Sequence, residues 1–269
     1  MTDSVTAPIN NSNDAFYPIK FRKSGTLETL PTLAVNVKEV HKKEECNHFL
    51  WDGETLKWVD LEAGNLEIDF LSAKLKWRYE RINRAQEPLL RALDWHSETP
   101  QTLFDLTAGL GRDSLMLLHA GFTVTMFERD PVLQVLLGEA VKRFQAEKPI
   151  EANRLTFIAE DAGAYLTRLI AENVNSDLNG NASVPDLIYM DPMYPEREKS
   201  ALVKKELRII RNRVGADHDS EILLEKALQT GAKRVVVKRP SHAPFVGDKS
   251  PHHSVESPNT RFDVYMNHG

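Results

Sequence analysis

The sequence predicts an α/β protein: a doubly wound, mostly parallel sheet preceded by a small β-rich N-terminal extension. Strand and helix patterns alternate after Pro100, the strands are short apolar runs, and acids and glycines stand where those runs end. Short apolar strands need both sheet faces covered, which helices on either side of a parallel sheet provide. In such sheets ligands lie beyond the carboxyl ends of the strands, near the point where strand order reverses.

The chain has 269 residues, of which 41% are hydrophobic and 27% charged. That suits one large domain or a main domain with an appendage. A formal net charge of −5 argues against coating nucleic acid by bulk charge but leaves room for a local basic patch. The single cysteine, Cys46, excludes a disulfide framework and fits a reducing compartment. No apolar run nears the roughly 20 residues of a membrane span, and the N-terminus lacks signal-peptide character. A cytoplasmic protein without a membrane partner is expected; its oligomeric state is left open.

Residues 1–15 are rich in Asn, Ser, Thr and Asp and predict a disordered tail. Residues 16–72 form the β-rich region, in which LWDGETLKWVD reads as a hairpin turned at Asp-Gly and NLEIDF as a strand. Residues 73–269 form the main domain, opened by helical SAKLKWRYERINRAQEPLLRAL with Pro88 starting a second segment. TLFDLT, FTVTMFE, RLTFIAE, PDLIYMD, KRVVVKRP and TRFDVYM then read as strands. Helices are expected at RDSLMLLHA, PVLQVLLGEAVKRFQAE, AGAYLTRLIAEN, residues 198–213 and SEILLEKALQT, with NVNSDLNGNAS a loop.

The strand ends carry the chemistry. After the first comes DLTAGLGRDS, where Gly109 and Gly111 permit a tight turn and close approach to a ligand. Asp105 inside that apolar strand needs donors, either as a brace for the loop or as part of a site. After the second, Asp130-Pro131 reads as a helix cap. Glu128 lies about 20 residues past the glycine loop, the spacing of an acid that reaches ribose hydroxyls. Arg129 reads as a surface residue or as a flank for an adenine. After the third, Asp161 reads as a helix cap, an acceptor for an adenine amine, or both. After the fourth comes DPMYP: Asp191 at the strand end, Pro192 and Pro195 stiffening the turn, and Tyr194 offering a ring for a base to stack on. Asp191 and the Pro192 carbonyl can together accept both hydrogens of an exocyclic amine; the alternative is a proline-rich turn with an incidental tyrosine. Lys199, Lys204, Lys205, Arg208, Arg211 and Arg213 follow, and Lys238 and Arg239 end the fifth strand. Cations placed there suit the phosphates of a polyanion entering the pocket.

DLTAGLGRDS, FERDP and DPMYP resemble the nucleotide and amine motifs of class I S-adenosylmethionine-dependent methyltransferases. More narrowly, DLTAGLGRD, MDPMYPEREKSALVKKE, RVVVKRP and RFDVY resemble the ribosomal RNA small subunit methyltransferase J family, across residues 100–266. That resemblance implies a seven-stranded Rossmann-like methyltransferase sheet with S-adenosyl-L-methionine as cofactor. It implies methylation of a guanine N2 amine in 16S rRNA, with free rRNA or the 30S subunit as partner. It also implies cofactor contacts at Arg112, Asp113, Glu128, Arg129, Asp161, Ala162 and Asp191. Met193 stands where the commoner amine motif has proline, and RYERINRAQE replaces a glycine-rich stretch.

Three other readings compete. A nicotinamide dehydrogenase would leave Tyr194 unexplained, and Ser114 stands at the third glycine position. A non-catalytic RNA-binding protein could dispense with Glu128 and Asp191. A methyltransferase for DNA, a protein glutamine or a small amine would use the same acceptors. His41, Cys46 and His48 are too few for a structural zinc, so no metal is expected; His252 and His253 read as a polar loop on the substrate side or in solvent.

Overall fold

Two sheets organise the chain in the computed structural model, which describes residues 16–267 except 23, 32, 34, 42, 84, 96–100, 177–183, 195–208 and 210–218. The first is five-stranded, in the order β2-β1-β3-β4-β5. Its strands are β1 (Tyr17–Phe21), β2 (Val37–Glu39), β3 (His48–Trp51), β4 (Leu56–Asp60) and β5 (Gly64–Glu67). The expected hairpin is β3–β4, and Asp52 Oδ1 closes its turn by accepting from the amides of Glu54 (3.2 Å) and Thr55 (3.0 Å). β1 and β2 pair in parallel with each other and β1 with β3. Parallel partners lie far apart in sequence, so no local turn announces them.

Helices α1 (Ala73–Glu80) and α2 (Pro88–Ala92) lead into the second sheet, with Pro88 at the first turn of α2 as expected. That sheet has seven strands in the order β11-β12-β10-β9-β6-β7-β8. They are β6 (Thr102–Asp105), β7 (Thr123–Phe127), β8 (Leu155–Ile158), β9 (Leu187–Met190), β10 (Arg234–Pro240), β11 (His253–Glu256) and β12 (Thr260–Met266). β8, β7, β6, β9 and β10 run parallel, and β12 is antiparallel to both its neighbours. The crossovers contain α3 (Arg112–Ala120), α4 (Pro131–Glu147), α5 (Pro149–Ala152), α6 (Ala162–Ser176) and α7 (Ser220–Gln229).

Alternate strand residues feed two cores. Tyr189, Val236 and Val264 pack with Leu90 of α2, Leu117 of α3 and Leu136 of α4. Ile188, Met190, Val235 and Val237 pack with Leu166 of α6 and with Leu224 and Ala227 of α7. The period-two alternation of strand side chains thus produces the doubly wound form. The first core extends into the small sheet through Phe70, which meets Phe144 of α4 edge-on at 6.2 Å, and includes Leu66 and Phe49.

Two expectations change, and a third lies outside the described residues. His253 opens β11, and His252 donates its amide to the Val264 carbonyl (2.9 Å), so this exposed pair belongs to the sheet edge and not to a loop. Its sequence, HSVE, has one buried residue and no apolar run to mark a strand. α6 extends to Ser176, three residues beyond the point where the Asn-rich loop was expected to begin, a region where local propensity favours a turn. The expected basic helix over 198–213, with Lys199, Lys204, Lys205, Arg208, Arg211 and Arg213, lies outside the described residues apart from Ile209, which is helical and buried.

Order reverses between β6 and β9, so the carboxyl ends of β6, β7 and β9 face one space. The β6–α3 loop turns there with Gly109 at φ +55° and Gly111 at φ +66°. A Cβ on Gly111 would lie 2.6 Å from Phe70 Cζ, whereas one on Gly109 would meet nothing nearer than 3.9 Å. Gly111 is required by packing as well as conformation; Gly109 borders open space. Gly111→Ala is therefore expected to destabilise the fold by about 2–4 kcal/mol, from left-handed strain plus overpacking. Thermal unfolding should register a Tm lower by roughly 5–15 °C, while Gly109→Ala should show a smaller drop.

Candidate active site

A cleft of about 320 Å³ opens at this switch point. It brings together Asp105, Gly109, Arg112, Asp113, Glu128, Arg129, Asp161, Ala162, Asp191 and Pro192, all anticipated from strand ends. Gly111, Tyr194 and Arg239 stand outside its lining.

Glu128 directly follows β7 and is buried. Its Oε2 accepts from the Gly109 amide (2.8 Å), and its Oε1 from the amides of Arg129 (2.8 Å) and Asp130 (2.7 Å). Burial pushes its pKa up, against the pull of these amides. A carboxylate has about four acceptor positions, so three donors leave one for a ligand hydroxyl. Asp130 accepts from Val132 and Leu133 N–H (3.0 Å each) and caps α4, as expected.

Asp105 is buried beneath the glycine loop. It accepts from the Thr107 amide (3.1 Å) and from the Ser114 hydroxyl. Burial raises its pKa to about 7, with the charges of Asp113 and Asp191 adding to the rise. Ser114, at the position of a third glycine, therefore has a bonding role that glycine lacks. Asp161 Oδ1 accepts from the Ala164 amide (2.9 Å), so it caps α6 while lining the cleft. Arg129 pairs with Asp219 (2.7 Å), both partly exposed at the cleft.

Lys238 occupies a different place from the one expected. Instead of reaching out to a phosphate, its Nζ donates 2.9 Å to Asp113 Oδ2 and lies 2.9 Å from Asp191 Oδ2. Tyr189, from the middle strand, donates its hydroxyl to the same Asp113 oxygen (2.7 Å). Burial alone would lift Asp113, but Lys238 and Tyr189 hold it below the ordinary carboxylate value. Burial would likewise lower Lys238, yet Asp191 and Asp113 outweigh it and keep the ammonium charged. One cation thus joins the first turn of α3 to the end of β9. The Asp191 backbone is fixed separately: its amide donates to Thr107 Oγ1 (2.6 Å).

Arg239 is also corrected. It is buried, donates to the Pro244 carbonyl (3.3 and 3.2 Å), and lies 4.6 Å over the Tyr194 ring. His242 meets that ring edge-on at 6.3 Å. Arg239 stiffens the tyrosine and covers one of its faces.

Sequence reasoning missed the wall from α7, where Ser220, Leu223 and Lys226 line the cleft and Lys226 donates to the Gly163 carbonyl (3.0 Å). A helix start with no motif gives no signal. It also missed Tyr79 of α1, whose hydroxyl donates to the Arg112 carbonyl (3.0 Å) and braces the glycine loop from outside. Among the described residues no group of three or more His, Cys, Asp or Glu is arranged to hold a metal.

The donor set fits S-adenosylmethionine, which carries two positive groups and one carboxylate. Asp113, Glu128 and Asp191 supply acidic oxygens, the open side of Gly109 allows close approach, and the first turn of α3 presents amides. Sheet order, glycine loop and strand-end acids together define a class I S-adenosylmethionine-dependent methyltransferase. The family described as "Putative SAM-dependent methyltransferase" matches residues 33–267. Ribosomal RNA small subunit methyltransferase J of Thioalkalivibrio sulfidiphilus is 40% identical over 76% of this chain and 76% of its own length. Its counterpart in Haemophilus influenzae is 36% identical over 90% and 91%. A SAM-dependent methyltransferase from Neisseria gonorrhoeae, known from a crystal structure, superposes with a TM-score of 0.69 at 29% identity over 94% and 96%. The chain belongs to the ribosomal RNA small subunit methyltransferase J family, and its cofactor is S-adenosylmethionine.

Proposed function

We propose that this protein methylates the exocyclic N2 amine of a guanine in 16S rRNA of the small ribosomal subunit. The observation that carries this reading is Asp191, at the end of β9, in one cleft with Glu128 and the glycine loop. The substrate class follows from the relatives' names; the choice of a planar amine follows from the DPMY turn.

When bound, S-adenosylmethionine supplies an electrophilic methyl group on a sulfonium. Glu128 would hold its ribose, the first turn of α3 its carboxylate, and Asp161 with Ala162 the adenine side. Asp191 and the Pro192 carbonyl accept the hydrogens of the guanine amine. An aryl amine is a poor nucleophile because its lone pair is conjugated, so acceptors that favour a pyramidal nitrogen strengthen as the reaction proceeds. Tyr194 stacks the base on the face that Arg239 does not cover, and Arg239 keeps the ring in place. Lys238, 2.9 Å from the Asp191 carboxylate, orients it. Catalysis on this reading rests on positioning and electrostatics.

The deciding experiment is radiolabelled methyl transfer to 30S subunits from a strain lacking the activity, with free rRNA, DNA and protein extracts alongside. Label at a guanine N2 of 16S rRNA is the expected outcome; label in DNA or protein, or at another rRNA position, would overturn the reading. Glu128→Ala is expected to weaken cofactor binding about 10–100-fold, the range for a lost hydrogen bond to a charged group. Calorimetric titration with S-adenosylhomocysteine measures it.

A further inference from the structure

Helix α1 exposes an aromatic ring among cations beside the glycine loop. Trp77 is 60% exposed, while Trp51 and Trp58 are buried and Trp95 donates its indole N–H to the Ala120 carbonyl (3.0 Å). The Arg81 guanidinium lies 4.7 Å over the Trp77 ring. Lys74, Lys76 and Arg78 are exposed on the same helix. Residues 73–91 hold six lysines and arginines against two glutamates, in a chain whose net charge is −5. Among the described residues neither Lys74 nor Arg78 has an ion-pair partner, and Lys76 has only Glu80 at 3.9 Å.

A lone exposed hydrophobic residue is ordinary, and Ile150, 82% exposed on α5, is one here. Trp77 differs in its setting. Two residues on, Tyr79 bonds the Arg112 carbonyl at the cleft, and the Arg78 charge reaches Asp113 inside it. Aromatic rings interleaved with cations suit unpaired bases, whose faces a duplex hides.

We propose that α1 is a docking platform for a single-stranded segment of the RNA substrate. Trp77, backed by Arg81, stacks on one unpaired base, and Lys74, Lys76 and Arg78 hold neighbouring phosphates. This rests on the reading that the substrate is rRNA. The segment that departs from the expected glycine-rich stretch thereby gains a role.

The test uses the full chain. Methyl transfer by the wild type to 30S subunits is scored first; its failure sinks the proposed function, while rRNA binding by the same preparation still judges the platform. Binding to 16S rRNA is then measured by filter retention across a salt series for Trp77→Ala, Trp77→Phe, Lys74→Ala/Lys76→Ala and the control Ile150→Ala. Trp77→Ala should raise the rRNA Kd about tenfold with an unchanged Kd for S-adenosylhomocysteine, and Trp77→Phe should stay within about threefold of wild type. The double lysine variant should lower the slope of log K against log salt by about 1.4, roughly 0.7 per phosphate contact on a single strand. Ile150→Ala should change neither. Wild-type rRNA affinity in Trp77→Ala overturns the platform, as does a parallel loss of cofactor affinity, which would mark Trp77 as structural. Equal loss of binding to anionic lipid vesicles in the same variants would also overturn it, assigning the patch to a membrane surface.

Discussion

Asp191→Ala is expected to lower the methyl-transfer rate about 10²–10³-fold, the range for removing one preorganised group aimed at developing charge. As the amine nitrogen attacks, its hydrogens become more acidic and their bonds to the carboxylate strengthen, so the loss falls on the transition state. Single-turnover transfer with saturating cofactor and 30S subunits isolates that step. The fold should survive, because the Asp191 contact to Thr107 Oγ1 comes from the backbone amide, which alanine keeps. Lys238 also retains Asp113 at 2.9 Å. Circular dichroism and Tm near wild type, together with the lost rate, would separate a missing acceptor from a collapsed loop. Asp191→Asn should fall between the two, keeping one carbonyl acceptor and losing the charge. Full activity in Asp191→Ala would remove this carboxylate from the reaction.

The main sheet was largely legible because each parallel strand is a short apolar run bounded by turn residues. LIYM of β9 is buried throughout, and α4 begins at its Asp-Pro cap and ends where its periodicity ends. What escaped lacks such local signals. β11 has one buried residue, and β1 and β2 find their partners across long sequence separations. The same division holds in the cleft. Strand-end position located Glu128, Asp161 and Asp191, since parallel topology delivers those ends to one place. Side-chain direction was not available from position alone. Lys238 and Arg239 end one strand next to each other, yet one turns into the cleft between two carboxylates and the other onto Tyr194. A strand alternates its faces, so neighbouring cations cannot both reach the same phosphate-facing surface. Alternation sets the two cations apart, and only the sheet's packing decides which of them enters the cleft.

Lys238→Met is expected to add a pH-dependent loss of stability to the one that buried carboxyls such as Asp105 already give the wild type. Asp113 titrates below its ordinary 3.8, so its contribution is complete above that pH and disappears as pH falls through the folded value. Lys238 titrates above its ordinary 10.5, so its contribution is complete below that pH and disappears only as pH rises through the folded value. Between about pH 4 and 10 neither group changes charge in the wild type, and this pair adds no slope to Tm. Methionine keeps most of the lysine stem and deletes the ammonium. Burial, the largest influence on Asp113, is then opposed mainly by the Tyr189 hydrogen bond and the more distant Arg78, and its pKa rises above 3.8. A carboxyl raised in the folded state is stabilising while protonated, so stability falls as pH climbs through the new value. Tm should therefore drop more at pH 8 than at pH 5, readings that differential scanning calorimetry provides. The loss at pH 8 should be about 2–4 kcal/mol, below the full range for breaking a buried pair, because both side chains retain 28% exposure. Lys238→Arg keeps a charge at this position and should restore the wild-type profile. If the Tm of Lys238→Met follows the same pH profile as wild type from pH 5 to 8, the ammonium does not govern Asp113, and its position between the two carboxylates has no energetic consequence.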